Sequence, residues 1–388
     1  MKVSILGHGV VGKGVWDMLQ GNGDFEVCSV LVKRGEKSAD FMTESFEDVL
    51  EDDSELVVEC MGGVDPAFEF ASKCLEAGKS FITSNKALVA AHGIDLLALA
   101  LKKEKGFLFS AACGGSIPIL QNLRLARKSD SIMWAGGILN GTTNYILDSM
   151  DRRHLGFDQA LAEAKELGYA EFDPTADLSG MDTMRKIMLI SMVAYDVLPN
   201  SDYDVEGIQN VSADDFSVAN DMGCTIRLVG RCGLAHSGRL FAFVQPMICP
   251  RNDFYAGVYS NINMAQYEGK NSGVMSFMGQ GAGRYPTASA VLRDMTSLRE
   301  GQLHMLKPNC LVGFAYNSAK ECEARYFVRF DSSFAGAFED KVGIDKKIAQ
   351  KDGNCYVITK PVTVKDMHSM AAEFRRKGAH IFFAQVKD

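Results

Sequence analysis

Residues 2–6 form a short apolar strand that runs into GHGVVG, Gly7 to Gly12, and a helical pattern follows near 12–20. A GxGxxG spacing between a strand and a helix constrains the fold more than any other feature here, because each glycine answers a steric demand. Gly7 permits the tight turn, Gly9 lets the backbone approach a pyrophosphate, and Gly12 allows close packing where the helix begins. Val10 and Val11 join the cofactor-binding set as members of the loop that leads to the helix N-terminus, whose free N–H groups favour an anion. A purely structural glycine turn is the alternative, and the flanking alternation argues against it. Strand candidates at 30–33, 56–60, 80–83 and 107–111 are separated by helical patterns near 12–20, 66–77 and 92–104. That order predicts a Rossmann-type, doubly wound parallel sheet, an α/β fold that binds ligands beyond the carboxyl ends of its strands.

At the end of the second strand an acidic residue would accept bonds from an adenosine ribose. This chain has Lys33-Arg34 there. Two cations suit a 2′-phosphate, each charge-assisted contact contributing about 1.5–3 kcal/mol, so NADP is expected over NAD. A solvated basic loop is the bland reading, with Glu36 close enough to divert one charge.

Beyond about residue 130 the pattern changes to an α+β arrangement: WAGGIL, a helical stretch at 143–167, an acidic loop, a helix after 182 and a hairpin around LVGRCGLAHSGRLFAFVQPMIC. A second glycine cluster at 279–295 leads into a helix, and from about 325 a small unit combines strands with at least one helix. The net charge of −8 and pI near 5.5 exclude nucleic acid or an anionic membrane as the main partner. The longest apolar run, 187–195, is too short to span a bilayer. Ten cysteines without CxxC spacing fit free thiols in a reducing cytoplasm.

The chemistry concentrates in ELGYAEFDPTADLSGMDTMRK, residues 166–186. Gly180 breaks the chain, and in the helix after it Asp182 and Lys186 are four apart on one face. Such a pair can hold a substrate hydroxyl between acceptor and donor and relay its proton, while Glu171, Asp173 and Asp177 could bind a substrate ammonium. The plain alternative is a surface pair contributing about 0.3–0.5 kcal/mol. Lys86, in SNKALVA, follows a strand and falls at the ligand edge of the sheet. Cys113 has no histidine near it in sequence and reads as a packed thiol, and His8 lies inside the glycine loop.

Taken in order, GHGVVG, ECMGG, TSNKALVA, GGSIPIL, GILNGTTNYIL, the 166–186 stretch and GQGAGRYPTASAV resemble the motifs of homoserine dehydrogenases over about residues 1–300. The resemblance implies NAD(P)-dependent interconversion of L-homoserine and L-aspartate 4-semialdehyde, on the way to threonine and methionine. It implies Lys186 as the catalytic lysine, Asp182 as its partner, Lys86 as a second lysine beside substrate and nicotinamide, and Glu171 and Asp177 as substrate-binding carboxylates. Gly62 and Gly283 fall to the cofactor side. It further implies a monovalent cation, Na⁺, held by backbone carbonyls of Cys113, Gly115 and Ile117, although Ser110 stands where relatives carry an assisting glutamate. Arg284-Tyr285 is bulkier than the small residues expected beside the cofactor. Residues 325–388 resemble a shortened ACT domain that lacks the Asp-x-Pro-Gly turn, with Asp331-Ser-Ser-Phe in its place.

The expected layout is a dinucleotide-binding domain at 1–130 with 279–300 returning to it, a substrate and dimerisation domain at 131–278, and a divergent ACT-like domain at 325–388. A cytoplasmic homodimer or higher homo-oligomer acting on the small molecule L-homoserine is expected. Two other readings stay open: an amino-acid dehydrogenase acting at an amine-bearing carbon, which ammonia dependence separates, and a catalytically silent cofactor-binding sensor, which intact Lys86, Asp182 and Lys186 argue against.

Overall fold

Six parallel strands line up as Met42–Thr43, Glu26–Leu31, Lys2–Leu6, Leu56–Glu59, Ser80–Thr83 and Phe107–Leu108 in the computed structural model, which describes residues 1–199, 203–306, 314–315 and 319–387. Counted along the chain this is the order 3-2-1-4-5-6 of a doubly wound nucleotide-binding sheet. Connections leave the strand Lys2–Leu6 to one side and Leu56–Glu59 to the other, so their carboxyl ends part and leave a crevice. Val3, Ile5, Leu6, Val57 and Val58 are buried, as a sheet covered on both faces requires.

The second sheet has ten strands and joins two units. Its path runs Gly273–Gln280, Ile262–Gly269, Ile132–Ile138, Cys224–Leu234, Leu240–Pro250, Phe382–Val386, Tyr326–Asp331, Asn354–Thr359, Ile344–Lys351, with Asp204–Val205 pairing onto Leu240–Pro250. The link is a short parallel pairing, Met247 to Gln385 and Ile248 to Val386. From Tyr326 the chain makes a strand-helix-strand-strand-helix-strand unit whose strands lie in the order 4-1-3-2, a split βαβ layout. Tyr326, Val328 and Phe330 point into that unit's own core with Phe338, Met367 and Phe374, whereas alternating Phe327 joins the main core.

The helix Met181–Tyr195 runs through the middle and is buried on nearly every side. It packs on the helices Lys86–Lys103 and Ile119–Ala126 and on the strand Cys224–Leu234. A helix buried on nearly every side is a core helix, which explains why its two buried charged residues, Asp182 and Lys186, need partners. Helix Arg284–Arg299 returns to the first unit and packs on Val10–Leu19, where a Cβ on Gly14 would come 2.7 Å from the Arg284 carbonyl.

Several boundaries differ from the sequence reading. The strand expected at 107–111 stops at Leu108 because Ser110 donates its amide to buried Asp294 at 2.7 Å and enters a 3₁₀ turn. The stretch 143–167 is two helices, Gly141–Arg153 and Phe157–Glu166, separated where His154 takes a left-handed conformation. The helix expected from 92 starts at Lys86, because Asn85 caps it by accepting from the amides of Ala87 and Leu88 at 3.1 Å. Strands Ile262–Gly269, Gly273–Gln280 and Ile344–Lys351 and helices Phe46–Glu51 and Ala335–Val342 carry patterns too short or too mixed to read beforehand. No helix among the described residues is long and apolar enough to cross a membrane.

Candidate active site

The glycine loop meets the demands of a dinucleotide. Gly7 has φ +98°, and a Cβ on Gly12 would lie 1.9 Å from the Gly7 carbonyl oxygen, so neither position accepts a side chain without moving backbone. Nothing lies within 4 Å of a Cβ on Gly9, which leaves open space above the loop. The helix Val10–Leu19 has no side-chain cap, so the amides of Val10, Val11 and Gly12 at its start lack a side-chain partner. Val10 is exposed and Val11 partly so. Exposed Gly62 lies just past the carboxyl end of Leu56–Glu59, and exposed Gly283, φ +124°, begins the helix Arg284–Arg299. Arg284 pairs with Asp17 at the edge of this cradle, and Tyr285 donates to the same carboxylate at 3.2 Å.

Lys33 and Arg34 are both exposed, two or three residues beyond the strand Glu26–Leu31. Their loop is held by Glu44, which accepts from the amides of Gly35 at 2.8 Å and Lys37 at 3.3 Å, so the side chains need not support it. Burial in the glycine loop pushes the His8 imidazole below its usual range, and nearby Lys13 adds to the effect, so His8 is neutral near pH 7.

Lys86, Asp182 and Lys186 converge from two helices. Lys86 Nζ lies 2.8 Å from Asp182 Oδ1, and Lys186 Nζ lies 2.8 Å from Asp182 Oδ2. Lys186 also donates to the Leu139 carbonyl at 2.5 Å, which leaves one of its three protons uncommitted. Burial opposes the charge on Asp182, but Lys186 and Lys86 outweigh it and hold the carboxyl well below the usual carboxylate range. Burial likewise disfavours the Lys186 ammonium, yet Asp182 raises its pKa above the ordinary lysine value. The Lys86 side chain is 35% exposed and that of Lys186 only 10%, so the cluster has a wet lysine and a dry one. The surface-pair alternative fails on this burial.

Asn140, which the motif reading passed over, ties the carboxylates together. Its Oδ1 accepts from the Thr143 amide at 2.8 Å, which caps the helix Gly141–Arg153 and fixes the orientation of the amide group. Nδ2 then donates to Asp177 at 2.7 Å and to Asp182 at 2.9 Å. Burial and the nearby Asp182 charge raise the Asp177 pKa. Asn140 follows an apolar strand and precedes a helix, a cap signal legible in LNGTT, but its reach to two distant carboxylates is set by the fold. A second relay fixes Lys86: buried Glu59 accepts from Thr83 Oγ1 at 2.5 Å, and that oxygen accepts from the amide of the cap residue Asn85 at 2.9 Å.

Glu171 is exposed on the loop before Asp177, and Asp173 accepts from Thr175 at 2.6 Å, a local turn bond. Cys113 is buried with its thiol pushed up to about 12 by burial, which excludes it as a nucleophile. Its loop packs on the second glycine cluster: Ser116 donates its amide to the Gln280 carbonyl at 3.1 Å, and a Cβ on Gly115 would come 2.6 Å from Gly281. Ser110 commits both amide and hydroxyl to Asp294. The donor set around Cys113, Gly115 and Ile117 therefore lacks the carboxylate a cation would use, and fits Na⁺ poorly. The nine described cysteines are free, and Cys310 lies outside the described residues.

Comparison with known proteins agrees with this geometry. Residues 7–110 match the family model of the homoserine dehydrogenase NAD binding domain, and residues 118–296 match that of homoserine dehydrogenase. The chain is 36% identical over 323 residues to the homoserine dehydrogenase of Corynebacterium glutamicum, covering 78% of this chain and 72% of that protein. It is 31% identical over 369 residues to that of Bacillus subtilis, covering 90% and 84%. The crystal structure of a homoserine dehydrogenase from Thiobacillus denitrificans superposes with a TM-score of 0.90 at 28% identity, covering 100% of this chain and 98% of the other.

Proposed function

The chain belongs to the homoserine dehydrogenase family, and from that premise we propose how its own residues carry the reaction. The enzyme is an NAD(P)-dependent oxidoreductase that interconverts L-homoserine and L-aspartate 4-semialdehyde. When bound, the nicotinamide accepts or returns the hydride at homoserine C4. One observation carries the assignment of roles: a single buried carboxylate, Asp182, bridges two lysines at 2.8 Å each.

As an ammonium, Lys186 gives its uncommitted proton to the carbonyl oxygen when the semialdehyde is reduced, and as a neutral amine it takes the hydroxyl proton when homoserine is oxidised. Asp182 keeps both ammonium groups aligned, and Lys86, the more exposed lysine, faces the substrate and the nicotinamide. Glu171 and Asp177 receive the substrate ammonium, with Asn140 holding Asp177 in place. Burial of Asp182 and Lys186 keeps water away from the reacting oxygen.

On the cofactor side, Gly7, Gly9, Val10, Val11 and Gly12 cradle the pyrophosphate, and Gly62 and Gly283 line the path toward the nicotinamide. The exposed, unpaired side chains of Lys33 and Arg34 favour NADP over NAD. No step is routed through a cation. Residues 1–130 with 279–300 act as the cofactor unit, 131–278 as the substrate unit, and 325–388 as a divergent ACT-like unit with a structural role. Exposed Val274, Met275 and Met278 on the edge strand Gly273–Gln280, with Met133 and Leu234 nearby in the sheet, support a homodimer formed through this region. Free cysteines support a reducing cytoplasm.

The test is to mix purified protein with L-homoserine and NADP⁺ or NAD⁺ and follow reduced-cofactor absorbance. Homoserine-dependent reduction that is faster with NADP⁺ is expected. Cofactor binding without reduction would turn the assignment toward the amine dehydrogenases, and ammonia dependence would then decide it.

A further inference from the structure

Two arginines of the tail reach out of their own unit and grip one short segment of the substrate unit. Arg375, on the helix Val364–Arg376, makes a fork to buried Glu206, with Nη1 to Oε2 at 2.8 Å and Nη2 to Oε1 at 2.7 Å. Asn210 adds a third donor to the same carboxylate at 3.1 Å. Arg329 donates to the Asn210 carbonyl at 2.7 Å and pairs with buried Asp215 at 2.8 Å. Both arginines therefore converge on residues 206–215.

That segment lies directly under the acidic loop. A Cβ on Gly207 would come 1.9 Å from the Leu178 carbonyl oxygen and 2.7 Å from the Ser179 Cα, so here the two backbones touch. Ile208 donates its amide to the same Leu178 carbonyl at 2.9 Å. One residue before Leu178 is Asp177, and Gly180, whose amide donates to the Asp177 carbonyl at 3.0 Å, packs against Val205. From Arg375 to Asp177 there is thus an unbroken run of ion pair, backbone hydrogen bond and backbone contact.

We propose that Arg375 is a positioning residue for the substrate-binding carboxylates, acting through Glu206 and the Gly207–Leu178 contact, so that the tail braces the substrate end of the active site. The inference rests on the assignment of Glu171 and Asp177 to the substrate. A two-bond fork onto a buried carboxylate is rigid enough to set a neighbouring backbone, which a solvated single-contact ion pair is not. Bracing of this kind acts on homoserine and leaves the cofactor cradle alone, and that asymmetry separates it from a tail that merely adds stability.

The experiment compares steady-state kinetics of the full chain with those of Arg375→Ala, Arg375→Lys and Glu206→Gln, with thermal melting of each. Expected for Arg375→Ala is a homoserine KM raised about five- to tenfold, an NADP⁺ KM within about twofold of the parent, and partial recovery in Arg375→Lys. A folded Arg375→Ala with both KM values within about twofold of the parent overturns the proposal, as does an equal rise in the two. If Arg375→Ala does not fold, Glu206→Gln, which keeps the shape and removes the charge, is read against the same limits. A parent protein that binds NADP⁺ without oxidising homoserine overturns the reaction itself, and the bracing role falls with it.

Discussion

The two ends of the active groove solve the problem of holding charge in opposite ways. At the cofactor end the work is done by backbone: Gly7 and Gly12 let the loop close on itself, helix amides point outward, and Lys33 and Arg34 stand exposed and unpaired. At the substrate end it is done by paired side chains, the partly exposed Lys86 and the buried Lys186 sharing buried Asp182, and Asn140 joining Asp182 to Asp177. A cofactor brings its own charge and needs a complementary surface waiting for it. A proton transfer needs donors and acceptors already aligned in a dry place, and dry charges must be neutralised before substrate arrives. The difference makes the exposed cations Lys33 and Arg34 tolerant of replacement, whereas the glycine loop and the paired charges of the substrate end are not.

The sharpest way to break this contrast is Lys186→Ala. Turnover is expected to fall about a hundredfold or more while NADP⁺ affinity, measured by fluorescence titration, stays nearly unchanged. A loss below about tenfold would move the proton-transfer role to Lys86, the wetter lysine. Next in size is charge reversal at the other end, Lys33→Glu with Arg34→Glu. The ratio of NADP⁺ to NAD⁺ specificity should drop about ten- to a hundredfold with kcat on saturating NAD⁺ little altered. An unchanged ratio would mean that these cations are a solvated loop.

The third test is read as a slope against pH. Asp182 raises the pKa of Lys186 above the ordinary lysine value, so its neutral form is scarce at neutral pH and grows as pH rises. Homoserine oxidation needs a base to take the hydroxyl proton, so its kcat should climb by up to about tenfold per unit between pH 7 and 10. Reduction of the semialdehyde draws on the ammonium form and should show no such rise over the same range. The doubly reversed cofactor variant should keep both profiles, since the two ends titrate independently. Flat profiles in both directions would remove Lys186 from proton transfer.

Legibility in the sequence follows the same division. The cofactor end could be read from six consecutive residues because its constraints are local: a turn, a close approach and a helix start. Asp182 and Lys186 were legible too, being one helical turn apart. That both would be buried, that Lys86 would arrive from ninety-odd positions away, and that Asn140 would span two carboxylates depend on how the helix Met181–Tyr195 threads the core, and no local spacing encodes that. The strand expected beyond Leu108 was lost for the same reason, since Asp294, distant in sequence, claims the Ser110 amide. The tail strands Tyr326–Asp331, Asn354–Thr359 and Phe382–Val386 were visible as apolar runs, but the tail's grip on Glu206 was not, because Arg375 on an amphipathic helix looks like any exposed basic residue until its partner is known.

The strand Phe382–Val386 lies beside Leu240–Pro250 in parallel and beside Tyr326–Asp331 in antiparallel, so it is the seam of the ten-stranded sheet. Ribosomes make it after both of its neighbours. Until it emerges, the hairpin strand Leu240–Pro250 presents an open hydrogen-bonding edge to its surroundings, at the place where the substrate unit and the tail are to be sewn together. For a nascent chain this is a waiting period with a sticky margin, during which a chaperone or a neighbouring copy could take the vacant position, and a slow stretch of translation near residue 380 would lengthen it.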